Sequence, residues 1–573
     1  MSDATADSDL RARVRARLTP EPAAGSDVDV AVVGAGPGGL YTAWRLVTAK
    51  ASPYGPDDVT VLEQSARVGG RLDSIRPPGL DAEGELGGMR FEPDAHRIVD
   101  ALTADVFSGD LDVVDFPLGE PEHHLRYLRG QRFRADAWRD AQVAGETFET
   151  RYHLDNEHRG FSPGQLFRKV IYDVLAADPW FVEQYGDSIE RESRYEHHID
   201  LSRREWNEVK RELTYEFAGP YEGLPVQEMG MWAILEDRLG HEGYEFLTDA
   251  MGYYALTANW NAAQAMADVA ADFAGDPDFK TLARGFDRLP YALADAYLDA
   301  GGTIRTENAL RSFRRTPAGP RRYALDVEHD GGQGTVTADR VVLALPRGAL
   351  EDLDQYNFFF DDPAVQRHLE SVFAQPALKL LMAFEDPWWE RELGAHAGAS
   401  VTDLPIRQCY YFGTNAGDER SLFLASYDDE RAVTFWSDLA ADGAGDRETE
   451  SGETDDELRA TEAPERMVEV AMAQVRELHD ADVPDPYAAY YKNWGDPPYG
   501  GGYNHWKPDV SIRDAMRFMR DPDPAEAVHV VGSAYSGRQG WVEGAFCTAE
   551  KALQESFGLA RPPWLDSDYY LGW

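Results

Sequence analysis

At 573 residues the chain has room for two or three domains and a substantial core, and its 102 acidic against 56 basic residues give a net charge of −46. So large an acidic excess disfavours nucleic acid and anionic membrane surfaces as partners, because phosphate contacts need a basic patch. Two cysteines, Cys409 and Cys547, exclude a disulfide framework and a four-cysteine metal site, and no apolar run is long enough for a transmembrane helix.

The charge also bears on the solvent. Lysine occurs only eight times, leaving 48 arginines. A lysine-poor acidic surface stays hydrated at high salt, where repulsion is screened, so a halophilic source is expected. Residues 1–26 read as a polar arm, helical over 10–18. Their opening MSDATADSDLRARVRARLTPEP has no apolar core and is not a secretory signal, so the cytoplasm is the simplest location.

Residues 28–33 (VDVAVV) form a short β-branched run that reads as a buried parallel strand. The glycine turn Gly34-Ala35-Gly36-Pro37-Gly38-Gly39 follows, then a helix with an apolar face over 40–47, then a second strand over 59–62 ending at Glu63. Glu63 lies 24 positions past Gly39 (63 − 39), near the offset of about 20 found in dinucleotide-binding units. In such a unit Gly34 permits the tight turn, Gly36 lets the backbone approach a pyrophosphate and Gly39 lets helix and strand pack closely. The helix N-terminus faces the phosphates and Glu63 accepts from ribose hydroxyls. A glycine turn without a ligand is the alternative.

Residues 146–277 carry helical periodicity, with Ser162-Pro163-Gly164 before Gln165 as a capping signal. Strands return at 303–305, 322–327 and 340–345. The stretch 347–519 mixes strands and helices, and the acidic segment 440–456 reads as an exposed loop insertion. Residues 528–531 form a strand, followed by a glycine-containing loop and a helix over 542–554. α/β material at the start, middle and end fits a sheet assembled from separated segments, with other domains inserted between them.

The unit continues as Val68-Gly69-Gly70-Arg71-Leu72 and Glu85-Leu86-Gly87-Gly88-Met89-Arg90-Phe91. The chain ends with Val531-Gly532-Ser533-Ala534-Tyr535-Ser536 and Gln539-Gly540-Trp541-Val542-Glu543-Gly544-Ala545. Between them stand Met251-Gly252-Tyr253-Tyr254, Gly285-Phe286-Asp287-Arg288-Leu289-Pro290 and Thr402-Asp403-Leu404-Pro405. In this order, over about 27–558, these motifs resemble the flavin-containing amine oxidase superfamily, and within it the L-amino-acid oxidases. The resemblance implies an α/β (mixed α+β) fold. Its Rossmann-like FAD-binding domain spans 27–92, 278–346 and 520–560, its mixed-sheet substrate-binding domain 93–145 and 347–519, and its inserted helical domain 146–277; residues 561–573 form a C-terminal tail.

By the same resemblance the cofactor is FAD. Gly34, Gly36, Gly39 and Glu63 hold the adenosine diphosphate half, Gly70 and Arg71 add phosphate contacts, and the backbone at Leu310 faces adenine. Gly88 and Met89, with Gly532, Ser533, Gly540, Trp541, Val542 and Ala545, lie along the ribityl chain and flavin. Ser533 departs from the family, which often has glutamate there. The covalent members carry a cysteine near the segment that is Tyr499-Gly500-Gly501-Gly502-Tyr503 here; this chain has none, so the FAD is expected to be non-covalent.

For chemistry, the resemblance assigns Arg90 and Tyr427 to the substrate carboxylate and Lys379 to reaction of reduced flavin with oxygen. Trp541 forms one wall beside the flavin, and Tyr499 or Tyr503 is the candidate for the second. An ion-paired arginine, an ordinary strand tyrosine and a snorkelling lysine are the plainer readings of Arg90, Tyr427 and Lys379. The aligned region 257–263 supplies no histidine base. The implied reaction is oxidation of an L-amino acid by hydride transfer from Cα to flavin N5, with O2 as acceptor, giving 2-oxo acid, ammonia and hydrogen peroxide without a metal. An amino-acid 2-monooxygenase, a primary-amine or polyamine oxidase, and a non-catalytic FAD-binding protein stay open, and relatives suggest a homodimer.

Overall fold

The computed structural model describes residues 9–22, 25–272, 278–317, 319, 321–329, 332–442 and 461–573. Two seven-stranded sheets organise the chain. In the first, the strands Thr303–Arg305, Val59–Leu62, Asp27–Val33, Gly332–Leu343 and Val528–Val530 lie side by side in parallel. All four residues of Val59–Leu62 are buried, as expected of a strand covered on both faces.

Gly332–Leu343 is longer than the expected strand. Its first half pairs antiparallel with Tyr323–His329, which pairs in turn with Asn308–Arg315. Its last three residues pair with Val528–Val530 along the same edge. Asp27–Val33 and Gly332–Leu343 are parallel neighbours whose connections leave in opposite directions, so a crevice opens beyond their C-terminal ends. Gly34 and Ala344 follow those two ends directly.

The second sheet runs in the order Ala488–Asn493, Ala377–Phe384, Ser421–Asp429, Gln408–Thr414, Gly398–Thr402, Leu125–Leu128, Gln131–Arg134. One face packs on an apolar core containing Leu378, Leu380, Tyr411 and Phe423. The other carries Leu381, Leu424, Tyr410 and Tyr427 towards Met89 and Trp541 of the first unit. Alternation along each strand decides which residues face the cofactor side.

Helices dominate 163–272, with a small hairpin at Ile189–Arg191 and His197–Ile199. Pro163–Ala177 starts where the capping signal placed it: Ser162 Oγ accepts from the Gln165 amide, and Gln165 Oε1 accepts from the Ser162 amide. The N-terminal helix Asp9–Arg15 is shorter than expected and is docked: Arg11 pairs with Asp287, and Arg13 and Arg17 with Asp295. Of the acidic insertion, residues 440–442 end the helix Arg431–Asp442, and 443–456 lie outside the described residues. Among the described residues no helix is long and apolar enough to cross a membrane.

Candidate active site

The crevice at the end of the parallel strands is an elongated cleft. Its walls include Gly34, Gly36, Glu63, Arg71, Ser533 and Trp541, and it encloses about 1160 Å³ including its open mouth. Each glycine of the first turn has a separate physical reason. Gly34 sits at φ +101°, which side chains rarely adopt. A Cβ on Gly39 would lie 1.9 Å from the Gly34 carbonyl oxygen, so only glycine lets helix Pro37–Thr48 close on the strand. At Gly36 the nearest protein atom to a Cβ is Gly70 Cα at 3.8 Å, so the protein itself has room for a side chain there. What a methyl would obstruct at Gly36 is the cleft.

Two helices begin at this cleft without a side-chain cap: Pro37–Thr48 behind Gly36 and Val542–Glu555 behind Trp541. Their free N–H groups and positive partial charge face one space. Arg71 adds a full charge. Its Nη1 donates to Gly502 O and its Nη2 to Ser533 Oγ, each at 2.9 Å. Among the described residues no carboxylate pairs with it, and burial pulls its pKa down to about 10. A half-buried cation beside two helix N-termini fits an anionic ligand. Glu63 is held in place by the turn: Oε2 accepts from the Ala35 amide at 2.7 Å, and Oε1 from the Ser65 amide and hydroxyl.

A second cluster packs against the Trp541 wall. The Trp541 ring stacks at 6.0 Å on Phe279, and the Arg90 guanidinium lies over Phe279 at 4.2 Å and Phe116 at 5.1 Å. Among the described residues Arg90 meets aromatic rings and tyrosine hydroxyls rather than a carboxylate. Burial lowers its pKa, and Tyr410, Tyr253 and Tyr427 more than offset this, leaving it raised. Tyr253 meets Tyr427 edge-on at 5.1 Å. Burial pushes the Tyr427 phenol up to about 12, so it stays a donor.

Lys379 stands directly across from Tyr427 in strand register, in a wholly buried strand. Its Nζ donates to Gly87 O at 2.6 Å, lies 3.4 Å from Met89 Sδ and sits 4.6 Å from the Tyr427 ring centre. Burial drives its pKa well below the ordinary lysine value, and the Glu85 carboxyl opposes that shift. Glu85 is itself raised by burial while accepting from Ser74 Oγ and the Phe286 amide.

Tyr499 and Tyr503 both line the cleft. Tyr503 is fixed by donating to Asp429 at 2.7 Å, and Tyr499 accepts from Lys492 at 3.2 Å. Of the residues singled out in sequence, Gly70, Gly88, Gly532, Gly540, Val542 and Ala545 also form the walls. Gly39 lies beneath the turn and Met89 against Lys379. Leu310 is not in the walls: it is buried in Asn308–Arg315, paired with Val327. The first residue of that strand approaches the acid instead, Asn308 N donating to Glu63 O.

Sequence reasoning missed Arg67, which lines the cleft and donates to Gly70 O; its position beside Gly69-Gly70-Arg71 was the available signal. It also missed His96, whose ring is 4.5 Å from Trp541. His96 Nε2 has no partner among the described residues, and burial holds the imidazole neutral.

The model of the family described as flavin containing amine oxidoreductase matches residues 37–555. The chain belongs to this family. It is an oxidoreductase of a flavin-containing family, and the resemblance seen in the motifs stands. Aplysianin-A of Aplysia kurodai is 26% identical over 566 residues, covering 94% of this chain and 92% of that protein. Achacin of Lissachatina fulica is 24% identical, covering 94% of each. An L-amino-acid oxidase of Mus musculus is 25% identical over 524 residues, covering 90% of this chain and 68% of that protein. Among solved structures, a triple mutant of putrescine oxidase superposes with a TM-score of 0.61 at 19% identity, covering 93% of this chain and 99% of that one. That likeness shows the α/β flavoprotein fold.

Proposed function

We propose that this flavoprotein is an L-amino-acid oxidase with non-covalently bound FAD. One observation carries the reading: Arg90, half-buried and two residues beyond the cleft-lining Gly88, lacks a carboxylate partner among the described residues and is framed by three tyrosines. A guanidinium in that setting suits a substrate carboxylate, held bidentately and so oriented as well as bound.

The chain's own residues divide the work. Gly36, Arg71 and the two helix N-termini hold the pyrophosphate, and Glu63 holds the ribose. The N-terminus of Val542–Glu555 stabilises negative charge at the flavin end of the cleft. Arg90 takes the α-carboxylate and Tyr427 donates a second hydrogen bond to it. Trp541 and Tyr499 or Tyr503 wall the space and exclude water, and the Trp541–Phe279 stack fixes the distance to Arg90. The chemistry FAD supplies when bound is two-electron acceptance from the α-carbon and delivery of those electrons to O2. Lys379 places positive charge beside that chemistry, and Gly87 O and Met89 Sδ aim it.

The test is oxidation of a panel of L-amino acids, their D-enantiomers and the matching decarboxylated amines, with products identified. The proposal expects peroxide, ammonia and 2-oxo acid from L-amino acids. Amide and carbon dioxide as products, or faster oxidation of the amines, would overturn it.

A further inference from the structure

The inner face of the second sheet carries another arginine without a carboxylate partner among the described residues. Arg126 lies on Leu125–Leu128, in register with Val401, which faces Gln408 on the next strand. Leu125 and Tyr127 pack into the core behind the sheet, so Arg126 between them projects from the opposite face, the face of Tyr410 and Tyr427. Its guanidinium donates to two backbone carbonyls, Leu125 O at 3.2 Å and Ala399 O at 3.4 Å. Its other neighbours are Tyr410, Tyr411 and Cys409, and burial pulls it down to about 10.

Tyr410 connects the two arginines, as the leading favourable neighbour of both Arg90 and Arg126. Its hydroxyl donates to Gln408 Oε1 at 3.2 Å, and Gln408 Nε2 is buried with no partner among the described residues. The helical segment closes over this amide: a Cβ on Gly252 would come 3.1 Å from Gln408 Oε1. A half-buried guanidinium with no carboxylate, and an amide donor with no acceptor, therefore stand among the described residues on the face that carries Tyr410. Burying such donors is costly unless a ligand supplies the acceptor.

The geometry points to a substrate with two carboxylates: Arg90 takes the α-carboxylate, and Arg126, with Gln408 and Tyr410, receives one on the side chain. This assignment rests on the amino-acid oxidase reading and narrows it to acidic L-amino acids. A neutral side chain leaves the distal donors unpaired, and sites built to hydrogen-bond a substrate group reject analogues lacking it strongly.

The experiment compares kcat/KM of the flavin-loaded protein for L-glutamate and L-aspartate with that for L-glutamine, L-asparagine and L-lysine. Each acid is expected to exceed its amide by about 100-fold or more. Arg126→Gln should lower the acid-to-amide ratio by about 30-fold or more, with Arg126→Lys restoring part of it. A wild-type ratio near one, or a preference for lysine, overturns the inference, and this comparison stands even if Arg126→Gln folds poorly. If no amino acid is oxidised, the oxidase reading has failed, and calorimetric titration with glutarate decides the inference separately. Glutarate is expected to bind at least about tenfold more tightly than butyrate, and equal affinities overturn the inference.

Discussion

Arg90→Met isolates the proposed carboxylate anchor. The guanidinium stands over Phe279 and Phe116 with no carboxylate partner among the described residues, so its removal breaks no ion pair of the free protein. Methionine is flexible enough to fill the slot against both rings. The flavin-loaded variant is therefore expected to melt within a few degrees of wild type, because methionine keeps the contact with both rings and no ion pair is lost. Substrate is affected differently. Truncating one partner of a buried hydrogen-bonded charge pair costs about 2–5 kcal/mol. At about 1.36 kcal/mol per factor of ten, kcat/KM for the best L-amino acid should fall about 30- to 5,000-fold. Because the anchor also orients Cα, the rate of anaerobic flavin bleaching at saturating substrate should fall as well. The assay is stopped-flow reduction monitored by flavin absorbance, with the decarboxylated amine run in parallel. A loss below about threefold, or an equal loss with the amine, would refute the carboxylate role.

Three further outcomes are expected. Gly36→Ala should fold normally but bind FAD more weakly, whereas Gly39→Ala, whose Cβ would meet the Gly34 carbonyl at 1.9 Å, should lose stability outright; melting of apo and holo forms separates them, and a well-folded Gly39→Ala would contradict the packing argument. Burial lowers Lys379 to about 7, so it is cationic below that value and neutral above it; the rate constant for reoxidation by O2 should fall as pH rises through the neutral range, and Lys379→Met should be slow and lack that step. An unaltered pH profile in Lys379→Met would remove lysine from the oxidative half. With a net charge of −46, repulsion should weaken as salt screens it, so Tm should rise from about 0.1 M to about 1 M salt; a fall in Tm would contradict a salt-adapted surface.

What the sequence revealed was local. The strand, glycine turn, helix and acid over 27–63 are contiguous, and each glycine's constraint arises within a few residues or from the adjoining strand end. The helix start at Pro163 was legible for the same reason, since both capping partners lie three residues apart. Relations across long stretches of chain were hidden. The arginines of the N-terminal arm meet Asp287 and Asp295, more than 270 residues away, and nothing near residue 13 announces that partner. Tyr253, Tyr410 and Arg126 are brought together from a loop and two separate strands. Leu310, which the resemblance set facing adenine, pairs with Val327 and does not line the cleft.

The most direct measurement is a crystal structure of the flavin-loaded protein with a non-oxidisable carboxylate bound beside the isoalloxazine. The account predicts that carboxylate in bidentate contact with Arg90, with the Tyr427 hydroxyl donating to the same group. A carboxylate bound elsewhere, or Arg90 turned into an ion pair with a protein acid, would contradict it.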